Sequence, residues 1–276
     1  MIHVFRWLAR LPLWLSHSLG WWLGWTAFLL SPRYRRKFVE NTAQAGYRMP
    51  TVRGAIGSAG RMVAELPRLW LGAPIVCEWD NDSSVDRAYL AGHGVLFLTP
   101  HLGCFEIAAQ AVAARYFERY GPLTVLYRPA RQAWLAQLML QSRDRPGLVT
   151  APTSLAGVRQ MIRSLRKGHA VGLLPDQVPP DGMGVWSPFF GRDAYTMTLS
   201  ARLAQQTGAT VLVMWGERLN GGRGFRLHFR ELREPLPSDL DAAVAQVNRE
   251  MERLIRECPS QYLWGYARYK HPKGAS

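Results

Sequence analysis

The sequence predicts an α/β protein: a mostly parallel central sheet covered by helices on both faces, preceded by an N-terminal hydrophobic membrane helix. Three observations carry this. Four short apolar runs, GVLFLT (94–99), LTVLY (123–127), AVGLL (170–174) and TVLVMW (210–215), read as strands buried on both faces. Helical patterns lie between them, near 104–118, 132–142, 154–167 and 196–207, as parallel crossovers require. Residues 11–30 hold no Asp, Glu, Lys or Arg, over a length that spans roughly 30 Å as a helix.

Taken in order, that first segment reads LPLWLSHSLGWWLGWTAFLL. Ser16, His17 and Ser18 interrupt it, and Trp14, Trp21, Trp22 and Trp25 mark an interfacial preference. Arg6 and Arg10 precede it; Arg33, Arg35, Arg36 and Lys37 follow it. It is too long and too Trp-rich for a cleaved signal peptide. A spanning anchor and a monotopic helix lying in the interface both fit. The chain therefore divides into a membrane-associated helix over 1–32 and one further domain over 33–276. Helices are expected near 33–46 and 51–71, the second with Ile56, Met62, Val63, Leu66, Leu69 and Trp70 at helical spacing. The 196–207 helix starts with Thr196 as its N-cap and stops at Gly208. Asn220–Gly224 reads as a hairpin turn leading to an edge strand, Phe225–Phe229. Asp239–Arg256 closes the chain as an amphipathic helix.

Composition bounds the function. Of 276 residues, 34 are Lys or Arg and 20 are Asp or Glu, for a formal charge of +14; thirty of the cations are arginine. Arginine's planar fork suits phosphates and carboxylates, so the expected partners are anionic. Eleven tryptophans favour a membrane surface among them. Nucleic acid is not expected, because the arginines are dispersed and no recognition motif appears. Cys77, Cys104 and Cys258 are scattered, which argues against a disulfide framework or a cysteine zinc site. The histidines show no ligand spacing, and there is no P-loop or dinucleotide fingerprint, so neither metal nor cofactor is expected.

The chemistry concentrates where GVLFLT runs into Pro100-His101-Leu102-Gly103-Cys104-Phe105-Glu106. His101 stands at the carboxyl end of a strand, where open α/β sheets place their sites. Glu106, about one turn into the next helix, can fold back to hold the imidazole and stabilise the imidazolium. A His–carboxylate pair without a serine or cysteine nucleophile suits deprotonation of a substrate hydroxyl that attacks an activated acyl group. The oxyanion then needs donors, such as a backbone N–H near Gly103 or an arginine. Arg128 emerges after a strand and before Pro129, placed to clamp an anionic head group. Arg143 and Arg145 end a helix. Asp176 ends AVGLL and faces the same crevice, to orient an arginine, accept from a sugar hydroxyl or cap a turn. The apolar stretch Trp186–Phe190 either walls an acyl-chain groove or is core.

PHLGCFE resembles the H-x4-(D/E) block of the lysophospholipid acyltransferase superfamily. VLYRPAR (125–131), QSRDR (141–145), LLPDQ (173–177), VWSPFFGRDAYTMT (185–198) and PSQYLWGYARYK (259–270) resemble, in order, the bacterial lipid A late acyltransferases. The resemblance implies transfer of a fatty acyl chain from an acyl carrier protein thioester, or acyl-CoA, to a hydroxyl of a lipid A precursor, at the cytoplasmic face of the inner membrane. It implies His101 as general base with Glu106 as partner, Arg145 in catalysis or substrate binding, and Asp176 as a required residue. Ser260 departs from the family's usual Glu, which leaves room for another acceptor: a lysophospholipid, a mannosylated inositol lipid or an aminolipid. A non-catalytic membrane binder and a hydrolase are the readings from other classes; the latter lacks the G-x-S-x-G elbow.

Overall fold

The computed structural model describes residues 2–127 and 146–272. The expected 132–142 helix and Arg128, Arg143 and Arg145 lie outside the described residues. Numbering follows the described residues. Seven strands form one sheet: β1 (Cys77–Asp80), β2 (Val95–Leu98), β3 (Leu123–Tyr127), β4 (Leu148–Pro152), β5 (Ala170–Leu173), β8 (Thr210–Arg218) and β9 (Phe225–Glu231). Their order is β1-β9-β8-β2-β5-β3-β4, and every pairing is parallel except β8 with β9. A separate antiparallel hairpin pairs β6 (Gly184–Phe189) with β7 (Arg192–Met197).

Strand β2 shows why the sheet is covered twice. Leu96 and Leu98 enter one core with Leu165, Val171, Val213 and Met251, whereas Val95 and Phe97 enter the other with Ile107, Val112, Met214 and Phe229. Alternate residues of a strand point to opposite faces, so a run apolar at every position must be buried on both. The helices α7 (Asp82–Leu90) and α8 (Phe105–Tyr120) supply the second core. The first is closed by α9 (Leu155–Arg166), α10 (Leu199–Thr207) and α11 (Leu240–Glu257).

Several expectations shift. Phe225–Glu231 is not an edge strand, because Cys77–Asp80, too short and mixed to be read as a strand, pairs outside it. Thr196 is buried in β7, and the N-cap of α10 is Thr198. The 51–71 helix is broken into α4 (Met49–Val52), α5 (Gly54–Ala64) and α6 (Leu66–Leu71), with Pro67 at the start of the last. Asp239 does cap α11, accepting from Ala242 N–H.

The N-terminal segment forms α1 (Ile2–Leu8) and α2 (Leu13–Leu30), followed by α3 (Pro32–Gln44). Among the described residues no helix is long and apolar enough to cross a membrane, so a spanning anchor is not supported. The polar break and the tryptophans interrupt the run that a span would need. Instead α2 lies flush against α5. A Cβ on Gly24 would meet the Ile56 carbonyl at 2.2 Å, and one on Gly60 would meet the Gly20 carbonyl at 2.0 Å. The Gly20–Gly24 spacing is the small-xxx-small pattern that lets helix backbones touch. Beside this contact, Arg218 at the end of β8 holds Glu65 with two bonds (2.6 and 2.8 Å) and donates to Ser58. His17 of α2 meets the same carboxylate at 3.2 Å, with all these side chains buried.

Gly24→Val is therefore expected to destabilise the fold by about 1–3 kcal/mol or more, as overpacking against backbone does. Ala27→Leu on the open side of α2 should stay within about 0.5 kcal/mol of wild type. Chemical denaturation of both variants checks this, and equal midpoints would refute the close contact.

Candidate functional site

The site forms where the chain leaves β2, the strand flanked by β5 and β8. Gly103 turns with φ +57°, and a Cβ there would meet the Gly216 carbonyl of β8 at 2.0 Å. Only glycine lets the loop pass this close. The loop is then stitched on both sides. Cys104 N–H donates to Gly216 O (2.7 Å), Gly103 N–H to Gln261 O (3.1 Å), and Leu263 N–H to His101 O (3.1 Å). The C-terminal segment thus holds the His101 backbone from behind.

Asp176 comes from the turn after β5 and is only 2% exposed. Its Oδ2 accepts from the His101 backbone N–H (2.9 Å) and from the Tyr262 hydroxyl (3.2 Å). Its Oδ1 meets His101 Nδ1 at 2.7 Å. The amide nitrogen of Gln177 stands 2.9 Å from His101 Nε2. An amide N–H can only donate, so this arrangement fits the tautomer with the proton on Nδ1 and a lone pair on Nε2. Burial alone would push the Asp176 carboxyl up. The His101 ring, the two His101 hydrogen bonds and the Arg268 guanidinium outweigh it and hold the carboxyl below its ordinary range. Burial, helped by Asp176, pushes the Tyr262 hydroxyl well up, so it remains a donor. Arg268 is itself buried, donating to Tyr195 O and Thr196 Oγ1 and lying over the Phe189 ring.

His101 faces a cavity of about 290 Å³ between β3–β5 and α8. Glu106 and Gln177 share its polar side; Ala109, Leu123, Val125 and Met214 form apolar wall. Gly172 of β5 also lines it, and a Cβ there would sit 3.3 Å from Val125 Cγ1.

The structure thus brings His101, Glu106 and Asp176 together, but redistributes the roles that spacing implied. The carboxylate at the imidazole is that of Asp176, not Glu106. Strand β5 is hydrogen-bonded to β2, so its end delivers Asp176 directly beside the histidine, while Glu106 sits in the first turn of α8 and lines the cavity. Two of the backbone donors near Gly103 are already spent on Gln261 and Gly216. Phe189 and Phe190 are core, packed against Trp264 and Tyr269. Their stretch is hairpin rather than groove wall. Gln177 and Tyr262, which stand in the motifs but carry no role by sequence reasoning, complete the site; the adjacency of Gln177 to Asp176 was the available signal. Cys104 is buried, and burial pushes its thiol well up, which removes it as a nucleophile. Among the described residues no group of side chains could hold a metal ion.

Both buried carboxylates predict acid sensitivity. For Glu65, burial raises the pKa, and Arg218 and His17 more than reverse this, to about 2. A carboxyl depressed in the folded state contributes stability that is complete above its unfolded pKa and lost as pH falls through the folded one. Stability should therefore fall between about pH 4.5 and pH 2. Glu65→Gln should flatten that decline while costing about 3–5 kcal/mol at neutral pH, since Arg218 is left buried and unpaired. Denaturant midpoints measured against pH decide it, and a flat wild-type profile would contradict the network.

Residues 38–271 match the sequence profile of the bacterial lipid A biosynthesis acyltransferases. The chain is 28% identical over 227 residues to the lipid A biosynthesis palmitoleoyltransferase of Escherichia coli, covering 79% of this chain and 71% of that one. It is 29% identical over 185 residues to the lauroyltransferase of the same organism, covering 66% and 56%. A lipid A biosynthesis acyltransferase of Haemophilus influenzae is 23% identical over 182 residues.

Proposed function

The chain belongs to the bacterial lipid A biosynthesis acyltransferase family and is an acyltransferase, and we propose that it moves a fatty acyl chain from an acyl carrier protein thioester to a hydroxyl of a lipid A precursor. The observation that carries the proposal is the His101 ring, held at Nδ1 by Asp176 with its Nε2 lone pair turned to an apolar cavity. The acceptor hydroxyl takes the place of the Gln177 amide at Nε2 and loses its proton there as its oxygen attacks the thioester carbonyl carbon. Asp176, ionised, stabilises the imidazolium. The displaced Gln177 amide, which stands beside Nε2, is the donor placed to meet the oxyanion. Collapse breaks the C–S bond, and the imidazolium returns its proton to the departing thiolate. The cavity takes the first part of the acyl chain. Glu106 lines the cavity and orients the acceptor, and Arg128, Arg143 and Arg145 bind its phosphates. The cationic surplus of +14 suits an acidic carrier protein, as it would the phosphates of acyl-CoA.

The membrane contact is monotopic in this reading, at the cytoplasmic face of the inner membrane. Helix α2 is apolar on both sides. Its inner side packs on α5, and its outer side leaves Trp22 70% and Leu30 77% exposed, with Trp14, Leu19, Leu23 and Leu29 beside them. Trp7 of α1 is exposed as well. A helix that is hydrophobic all round and half covered by protein needs an apolar surrounding for the rest.

Incubation with labelled acyl carrier protein and the lipid A precursor should yield an acylated lipid, identified by mass. His101→Ala should lower turnover by about 10²–10⁴-fold with unchanged folding. Asp176→Asn should cost more turnover than Glu106→Gln. Wild-type rates in His101→Ala would refute the mechanism, and acylation of a different lipid in preference would refute the acceptor. Trp22→Asp combined with Leu30→Asp should release protein from sedimented membranes, since each buried side chain of this size contributes about 1.5–3 kcal/mol. Undiminished sedimentation would remove α2 as the contact.

A further inference from the structure

A second cleft, of about 360 Å³, opens between α2 and the β8–β9 turn, lined by Trp14, His17, Ser18, Arg61, Leu219 and the glycines Gly221 and Gly222. Only one of its side chains, Arg61 of α5, is a fixed cation. Its Nε donates to the His17 carbonyl (3.2 Å), and its guanidinium lies 4.8 Å from the centre of the Trp21 ring. Among the described residues it forms no ion pair. The nearby acid Glu65 is held by Nε and Nη2 of Arg218 and by His17. That carboxylate is committed to Arg218 and His17, which leaves Arg61 a half-buried positive charge. Burial first, and then the like charge of Arg218, lower the Arg61 pKa, with Glu65 opposing. An anion in the cleft would relieve both effects.

The position of the cleft says which anion. Trp14 on its rim is exposed and belongs to the apolar outer face of α1 and α2. Tryptophan settles at the head-group level of a bilayer, so an arginine stacked on Trp21 stands at phosphate depth. Resting on the monotopic reading above, we propose that the Arg61 cleft binds the phosphate of an anionic glycerophospholipid in the supporting bilayer, at a site separate from His101. Arginine's fork can meet two phosphate oxygens at once.

The test uses full-length protein and two kinds of vesicle, phosphatidylcholine alone and phosphatidylcholine with phosphatidylglycerol. Three variants each lower the net charge by one: Arg61→Gln, Ser18→Asp on the cleft wall, and Arg249→Gln, exposed on α11. Ser18 is exposed and bonds only to the Trp14 carbonyl, so its replacement should fold, which the thermal midpoint verifies. Wild type should prefer the phosphatidylglycerol vesicles. Arg61→Gln and Ser18→Asp should each reduce that preference about tenfold, the loss of a charged hydrogen bond. Arg61→Lys should restore part of it, and Arg249→Gln should leave it intact. Equal loss in all three charge variants would overturn the site in favour of diffuse attraction, as would no loss in Arg61→Gln. Inorganic phosphate is the second probe. A phosphate-dependent rise in thermal midpoint that Arg61→Gln abolishes, with vesicle preference unchanged, would overturn the lipid assignment in favour of a free anion. Binding to phosphatidylcholine vesicles reports on the apolar face of α2 alone. Its failure is therefore seen separately, as absence of binding to either vesicle by wild type.

Discussion

A single buried carboxylate organises the end of the molecule that carries His101. Asp176 receives the His101 backbone, the His101 ring and the Tyr262 hydroxyl, and so ties together three pieces of chain: the turn after β5, the loop after β2 and the C-terminal segment. Burying a charge is costly unless it is hydrogen-bonded throughout, so no looser arrangement of these three would be tolerated. The same bonds set the imidazole tautomer. The need to satisfy a buried charge thereby also fixes an imidazole with its Nε2 lone pair facing the Gln177 amide.

The loop that carries His101 has little freedom for a second reason. Gly103 and Gly216 approach so closely that neither admits a side chain, and each neighbouring backbone donor is used. Behind them, Gln261 exchanges bonds with both the N–H and the carbonyl of Arg218. Arg218 reaches on to Glu65, and Glu65 to His17 in α2. A continuous set of buried and part-buried hydrogen bonds therefore connects the helix with the exposed apolar face to the loop that carries His101. The position of the His101 loop relative to α2 is fixed by polar contacts inside the protein.

The surplus of arginine is used in two ways. Arg218 and Arg268 are buried and structural, satisfying a carboxylate in one case and a carbonyl, hydroxyl and aromatic face in the other. Others pair on the surface with single acids, as Arg87 does with Glu231 and Arg226 with Glu78, where each pair contributes little. Arg61 belongs to neither group. Its charge stands in a cleft beside α2 with the local acid already committed.

The sheet and the strand-end position of His101 were legible in the sequence. GVLFLT, LTVLY, AVGLL and TVLVMW are all strands, because a doubly covered strand must be apolar at every position and such runs stand out. His101 lies at a strand end because the apolar run stops just before it. The hairpin over 184–197 and the strand Cys77–Asp80 were not legible, since mixed, half-exposed residues carry no clear period. Nor was the partner of His101. Glu106 is near it in sequence and Asp176 is 75 residues away, and only the parallel pairing of β2 with β5 puts the distant acid at the ring. The apolar segment near the N-terminus shows the same division. Composition determined that it seeks an apolar environment. Whether that environment is lipid on all sides, or protein on one side, depended on whether another helix offered glycines at a matching height. Gly57 and Gly60 of α5 do, and that is a property of two surfaces meeting, which neither stretch of sequence contains alone.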